Sequence, residues 1–96
     1  MIKKVILDFN GTETREEIHG ILKRELRFPD YYGNNLDALY DCLTDIHEDT
    51  AIGFYWTEDD SLISEYLRRT QLVFADAEEE NAHLAVFFLT TFAPDH

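Results

Sequence analysis

The chain has 96 residues, enough for one domain around one modest core, and at 45% hydrophobic and 14% aromatic composition it can fill that core. With 20 Asp and Glu against 8 Lys and Arg, its formal net charge of -12 argues against a basic patch for nucleic acid or an anionic membrane. A field of that sign suits a basic partner, although plain solubility explains it equally well. The single cysteine, Cys42, excludes an internal disulfide and a cysteine-based zinc cluster, and is read as a small buried thiol.

The N-terminal Met-Ile-Lys-Lys-Val passes straight into a strand-like run, with no apolar leader and no cleavage site. A cytoplasmic protein without a targeting segment is therefore expected. No apolar run is long enough to cross a bilayer, Ala85 to Leu89 being among the longest. Residues 2–9, IKKVILDF, read as a strand buried on both faces, and Asn10-Gly11 as the turn that follows it. Thr14 to Glu17 has the form of a capping box, Thr14 as N-cap and Glu17 reaching back. Ile18, Ile21, Leu22 and Leu26 then share one stripe, which predicts an amphipathic helix over 15–26, closed by Pro29. His19 falls on the apolar side of that helix and reads as a structural histidine.

A loop over 30–34 follows, and the helical period returns over 35–46. Leu36, Leu39, Leu43 and Ile46 define its inward face, and Asp37, Tyr40, Asp41 and Thr44 its other face. Residues 50–56, TAIGFYW, predict a second strand of the buried type. Residues 58–80 predict a helix in which Thr70-Gln71 marks a bend or a junction. Residues 83–90, HLAVFFLT, predict a third strand. The order β-α-α-β-α-β gives an α/β fold, a three-stranded parallel sheet packed with helices and joined by right-handed crossovers. The expected organisation is a single domain over 1–91 with a frayed tail over 92–96.

Asp37 and Asp41 stand one helical turn apart, where like charges repel by about 0.2–0.5 kcal/mol. A catalytic acid/base pair would account for them, but no cleft-forming motif, phosphate loop, serine elbow or Cys-His pair accompanies them, so no enzyme activity is expected. Metal binding through Asp37, Asp41 and Asp45 fails on geometry, because acids four apart on a rigid helix cannot wrap one ion. Neither a metal nor another cofactor is expected. Asp37, in the first turn, is favoured by the helix dipole, whereas Asp41 at mid-helix is not. Tyr31, Tyr32 and Tyr40 cluster beside these acids as in the core of an interface, with Tyr32 the better candidate to point inward. Between Arg27 and Thr57 there is no Lys or Arg at all. The missing positive charge is expected to come from a partner.

The stretch PDYYGNNLDALYDCLT resembles the signature of the barstar family of intracellular ribonuclease inhibitors. IHGILKREL is similar to the family's first helix and QLVFADAEEE to its last. The resemblance covers nearly the whole chain and implies inhibition by plugging a ribonuclease active site with the second helix and the loop before it. By that resemblance Asp41 enters the enzyme's phosphate pocket and Asp37 meets basic side chains at its rim. Tyr31, Gly33, Asn35, Leu36, Tyr40 and Thr44 contact the enzyme from the loop and helix, and Asp76 does so peripherally from the last helix.

The implied protein is a cytoplasmic inhibitor, or an immunity protein, acting stoichiometrically on a basic, barnase-type secreted or toxin ribonuclease. It is expected to be monomeric when free and to bind neither nucleic acid nor membrane directly. Departures from the family pattern are Tyr40 in place of Trp, Asp45-Ile46 in place of Gly-Trp, and a shortened segment before the last helix. Asn81-Ala82 also stand near the place of a cysteine. The rival expectation is an acidic mimic of nucleic acid that occupies a non-nuclease nucleic-acid-binding protein, with Glu78 to Glu80 extending its surface.

Overall fold

The structure, a computed structural model, describes residues 1–92. Its elements run β1 (Lys3–Asp8), α1 (Arg15–Leu26), α2 (Leu36–Thr44), β2 (Thr50–Glu58), α3 (Leu62–Glu80) and β3 (Leu84–Phe92). The strands form one parallel sheet in the order β1-β2-β3, with Ile6, Gly53 and Phe87 in register across it. This is the expected α/β architecture. The tail expected beyond β3, residues 93–96, lies outside the described residues.

Local chemistry sets each boundary. The Thr14 hydroxyl accepts from the Glu17 N–H, while the Glu17 carboxylate accepts from the Thr14 hydroxyl and from the N–H of Glu13, one residue earlier than a capping box requires. α1 stops at Arg27, which adopts the left-handed conformation (φ 55°) and closes the helix by donating its N–H to Lys23. α3 begins at Leu62 rather than 58, because β2 continues to Glu58 and Ser61 provides the N-cap. No bend or junction interrupts α3 at Thr70-Gln71. Thr70 is buried and donates its hydroxyl to the Tyr66 carbonyl within the helix, and Gln71 accepts from the Trp56 indole, tying the helix to β2.

The core lies between the helices and one face of the sheet. Leu7, Ile52, Phe54 and Val86 from the strands, with Phe9 just after β1, meet Ile18, Leu22, Leu39, Leu43 and Phe74 from the helices. Phe54 packs at its centre, tilted against Phe9 and edge-on to Phe74, with ring centroids 4.8 and 5.2 Å away. The expectation that the strands are covered on both faces is not met. Ile6, Phe87 and Leu89 point away from the helices and remain more than half exposed, at 58%, 64% and 54%. Apolar strand runs do not distinguish a covered second face from an open one, and here every described helix contributes to the same core.

Candidate protein-binding site

The loop and helix that carry the acids are held to the core by two anchors and one cap. Tyr32 is the first anchor. It is buried at 5% exposure, whereas Tyr31 beside it is 87% exposed, so the adjacent tyrosines divide as expected. The Tyr32 hydroxyl lies 2.6 Å from Nδ1 of the buried His19, whose Nε2 lies 2.5 Å from the Tyr66 hydroxyl. A neutral imidazole donates one hydrogen bond and accepts the other, so the histidine joins the loop, α1 and α3. Burial lowers the His19 pKa from its ordinary value, outweighing the opposing Glu16 charge and reinforced by Arg15. Burial also raises the Tyr32 phenol, with Cys42 and Tyr66 adding to it, so Tyr32 keeps its proton.

The cap is Asn35. Its Oδ1 accepts from the Ala38 N–H at 2.7 Å and its Nδ2 donates to the Gly33 carbonyl at 3.2 Å, so one side chain starts α2 and folds the loop back on it. Asn34, at φ 54°, makes the turn between them. A Cβ at Gly33 would come within 3.2 Å of Asn35 Nδ2, closer than the loop tolerates without shifting. The second anchor is Asn81, buried after α3. Its Nδ2 donates to the carbonyls of Leu43 and Ile46 at 2.9 and 3.0 Å, satisfying the C-terminal end of α2. At that end Thr44 donates its hydroxyl to the Tyr40 and Asp41 carbonyls.

So held, α2 buries Leu39 and Leu43 fully, packs Leu36 and Ile46 at the core margin, and turns Asp37 and Asp41 to solvent. Among the described residues neither acid has an ion-pair partner. The cations of Lys3, Lys23, Arg24, Arg68 and Arg69 pair with Glu48, Asp30, Glu25, Glu58 and Glu65 instead. A shallow groove lined by Tyr31, Asp41, Cys42, Thr44 and Asp45 opens beside Asp41. The Cys42 thiol is half-buried rather than buried. Burial raises its pKa, with Asp41 and Asp45 reinforcing the effect, which leaves it protonated and unreactive.

Tyr40 packs partly against the core where α2 meets α3. Its phenol is raised by desolvation and by the charges of Glu80, Asp76 and Asp41, which places acids of both helices around one ring. The acid run at the end of α3 is thereby divided. Asp76 and Glu80, one turn apart, extend the acidic face of α2, while Glu78 turns to the sheet edge and accepts from the Val86 N–H.

Of the residues expected at the site, Tyr31, Asp41 and Thr44 line one groove, and Asp41 and Asp76 both act on Tyr40, while Gly33, Asn35, Leu36 and Asp37 belong to the loop and first turn of α2. The groove also includes Asp45, which the sequence marks as a departure from the family pattern, and Glu80, expected only as part of a wider acidic surface, acts with Asp76 on Tyr40. Sequence reasoning missed the anchoring by Asn81, for which no periodic signal exists. Among the described residues, no group of three or more His, Cys, Asp or Glu side chains is placed to hold a metal ion.

The molecule is a small parallel α/β module whose second helix turns two acids, neither with an ion-pair partner among the described residues, to solvent. Comparison with known proteins gives it a family. The pattern of the barstar (barnase inhibitor) family matches residues 2–92, and the chain belongs to that family, a family of ribonuclease inhibitors rather than enzymes. It is also similar to a Bacillus subtilis (strain 168) protein named "Putative ribonuclease inhibitor YrdF", with 56% identity over 43 residues. That alignment spans 45% of this chain and 47% of the relative.

Proposed function

We propose that this protein is a stoichiometric inhibitor of a basic, barnase-type ribonuclease, docking through α2 and the loop before it. The observation that carries the reading is the pair Asp37 and Asp41, exposed on α2 without a cationic partner among the described residues and flanked by Tyr31 and Tyr40. Family membership and the named relative support ribonuclease inhibition in general; the site and the type of target are our inference.

A ribonuclease active site presents Arg, Lys and His side chains to an RNA phosphate. Asp41 has two carboxylate oxygens that accept charge-assisted hydrogen bonds from such groups, so it can stand where a substrate phosphate would. Asp37, one turn towards the helix start, meets cations at the rim. Tyr31 and Tyr40 supply apolar area that excludes water around the charge pairs, and Leu36, Gly33 and Asn35 set the contour of the loop. Thr44 closes the far end, and Asp76 contributes from α3. No cofactor takes part, and no bond is made or broken. The inhibitor works by occupancy, in the cytoplasm, either against the cell's own secreted enzyme before export or as the immunity protein of a delivered toxin.

The extension of the acidic face onto α3 by Asp76 and Glu80 favours one alternative, a nucleic-acid mimic that occupies a non-nuclease protein. One experiment separates them. Titrating the purified protein into RNA cleavage by a barnase-type ribonuclease, or by a ribonuclease encoded next to its gene, is expected to abolish cleavage with a break at equimolar protein. Undiminished cleavage by these enzymes in the presence of excess protein would remove the inhibitor reading.

A further inference from the structure

The second face of the sheet, opposite the helices, carries a pattern that the site on α2 does not use. Register places its outward residues in three rows: Lys4, Ala51 and Ala85; Ile6, Gly53 and Phe87; Asp8, Tyr55 and Leu89. Thr57 and Thr91, hydrogen-bonded to each other at 2.8 Å, form a polar rim beyond the third row. The Tyr55 ring lies over Gly53, where an added Cβ would come within 2.7 Å of it, so the notch left by the glycine is filled. Ile6, Phe87 and Leu89 give the face its apolar surface.

Two properties of these rows point to one occupant. First, in a molecule of net charge -12 the face is neutral, holding one Lys and one Asp at opposite ends of β1. Second, the rows are self-complementary. A two-fold axis through the middle row, perpendicular to the strands, sets the first row of one copy against the third row of the other. Lys4 then faces Asp8, Ala51 faces Tyr55 and Ala85 faces Leu89, so charge meets opposite charge and small meets large. Among the described residues Lys4 has no ion pair, and Asp8 uses one carboxylate oxygen to accept the Asn10 N–H, leaving the other open.

We propose that this face is an isologous docking surface for a second copy of the chain, in which the sheets pack back to back through these three rows. The proposal departs from the monomer expected from sequence, and it does not depend on the inhibitor reading. α2 lies on the helix side of the sheet, so both copies keep their acidic face free. At usual strand spacing and rise the face measures about 15 by 20 Å. Two such faces present about 600 Å² in projection, so the contact is small and suits only a weak, reversible association. Like net charges oppose the association, so the dimer strengthens as salt screens them.

Sedimentation velocity over a concentration series, at low and high salt, tests the proposal. The expected result is a monomer–dimer equilibrium that shifts to dimer with concentration and with salt. Lys4→Asp alone, or Asp8→Lys alone, places like charges opposite each other twice per dimer and raises Kd by about tenfold. An equimolar mixture of the two variants is expected to recover dimer as a heterodimer, because each then presents the charge the other lacks. Phe87→Lys, a change at an exposed position, is expected to give monomer with an unchanged circular dichroism spectrum. A monomer at every submillimolar concentration and both salts would overturn the proposal and leave the face to another partner. A dimer that survives Phe87→Lys, or variants that fail to complement each other, would equally overturn it.

Discussion

His19 shows how much one side chain contributes to holding the loop before α2. It is 1% exposed, and both ring nitrogens are used by tyrosines from different parts of the chain. Apolar periodicity predicted its burial, but nothing in the sequence paired it with Tyr32 and Tyr66, because hydrogen-bond partners 13 and 47 residues away leave no local pattern. The pH consequence follows from burial. Its folded pKa lies below the ordinary 6.5, so between the two values the unfolded chain binds more protons than the folded one. The stability it contributes is complete above about pH 6.5 and is lost as pH falls from there through the lowered folded value. Urea midpoints measured from neutral pH downward are expected to fall across this window. His19→Gln is expected to lower stability at neutral pH and to flatten the dependence. A wild-type midpoint unchanged across the window would contradict this role.

At the scale of elements, helix α2 is the part that has to be both stable and exposed. It is short at nine residues, carries like charges one turn apart, and has no basic residue in its last turn to favour the dipole. Its stability therefore rests on tertiary packing of Leu39 and Leu43, on Asn35 at its start and on Asn81 at its end. Asn35→Ala is expected to cost about 1 kcal/mol in urea denaturation, the usual loss for an N-cap. Asn35→Asp keeps the acceptor for Ala38 but loses the donor to Gly33. It should recover stability while binding to the target ribonuclease stays weakened, because the loop contour is not restored. Recovery of both together would show that the Gly33 bond has no part in shaping the site.

All six elements were legible because each combines a clean apolar period with a turn or cap at its ends. The boundary errors came where tertiary contacts decided. β2 ran on into Glu58 because β3 pairs with it there, and α3 stayed continuous through Thr70-Gln71 because Trp56 and the Tyr66 carbonyl use those polar side chains. The acidic face was legible from the Asp37 and Asp41 spacing, but its continuation through Glu80 required knowing that α2 and α3 pack side by side around Tyr40. The open face of the sheet was not legible at all. Its residues are as apolar as those of a covered face, and only the side on which the helices lie makes the difference.

For the whole molecule, the distribution of charge matters more than its sum. Lysines and arginines are paired mainly along α1, the β2–α3 region and the first strand, while the acids around Tyr40 are left without counter-charges among the described residues. A surface of that kind is repulsive until a cationic partner arrives, and it also steers such a partner towards itself. In the proposed docking, Asp41 lies at the centre of the interface and Asp76 at its margin. The most direct test is the inhibition constant for RNA cleavage, measured side by side for the wild type, Asp41→Ala and Asp76→Ala. Loss of Asp41 is expected to weaken inhibition by about 3–5 kcal/mol, the cost of removing one member of a desolvated charge pair, and loss of Asp76 by about 0–1 kcal/mol, as for an exposed one. Equal and small effects of the two substitutions would contradict the docking of α2 into the enzyme's active site.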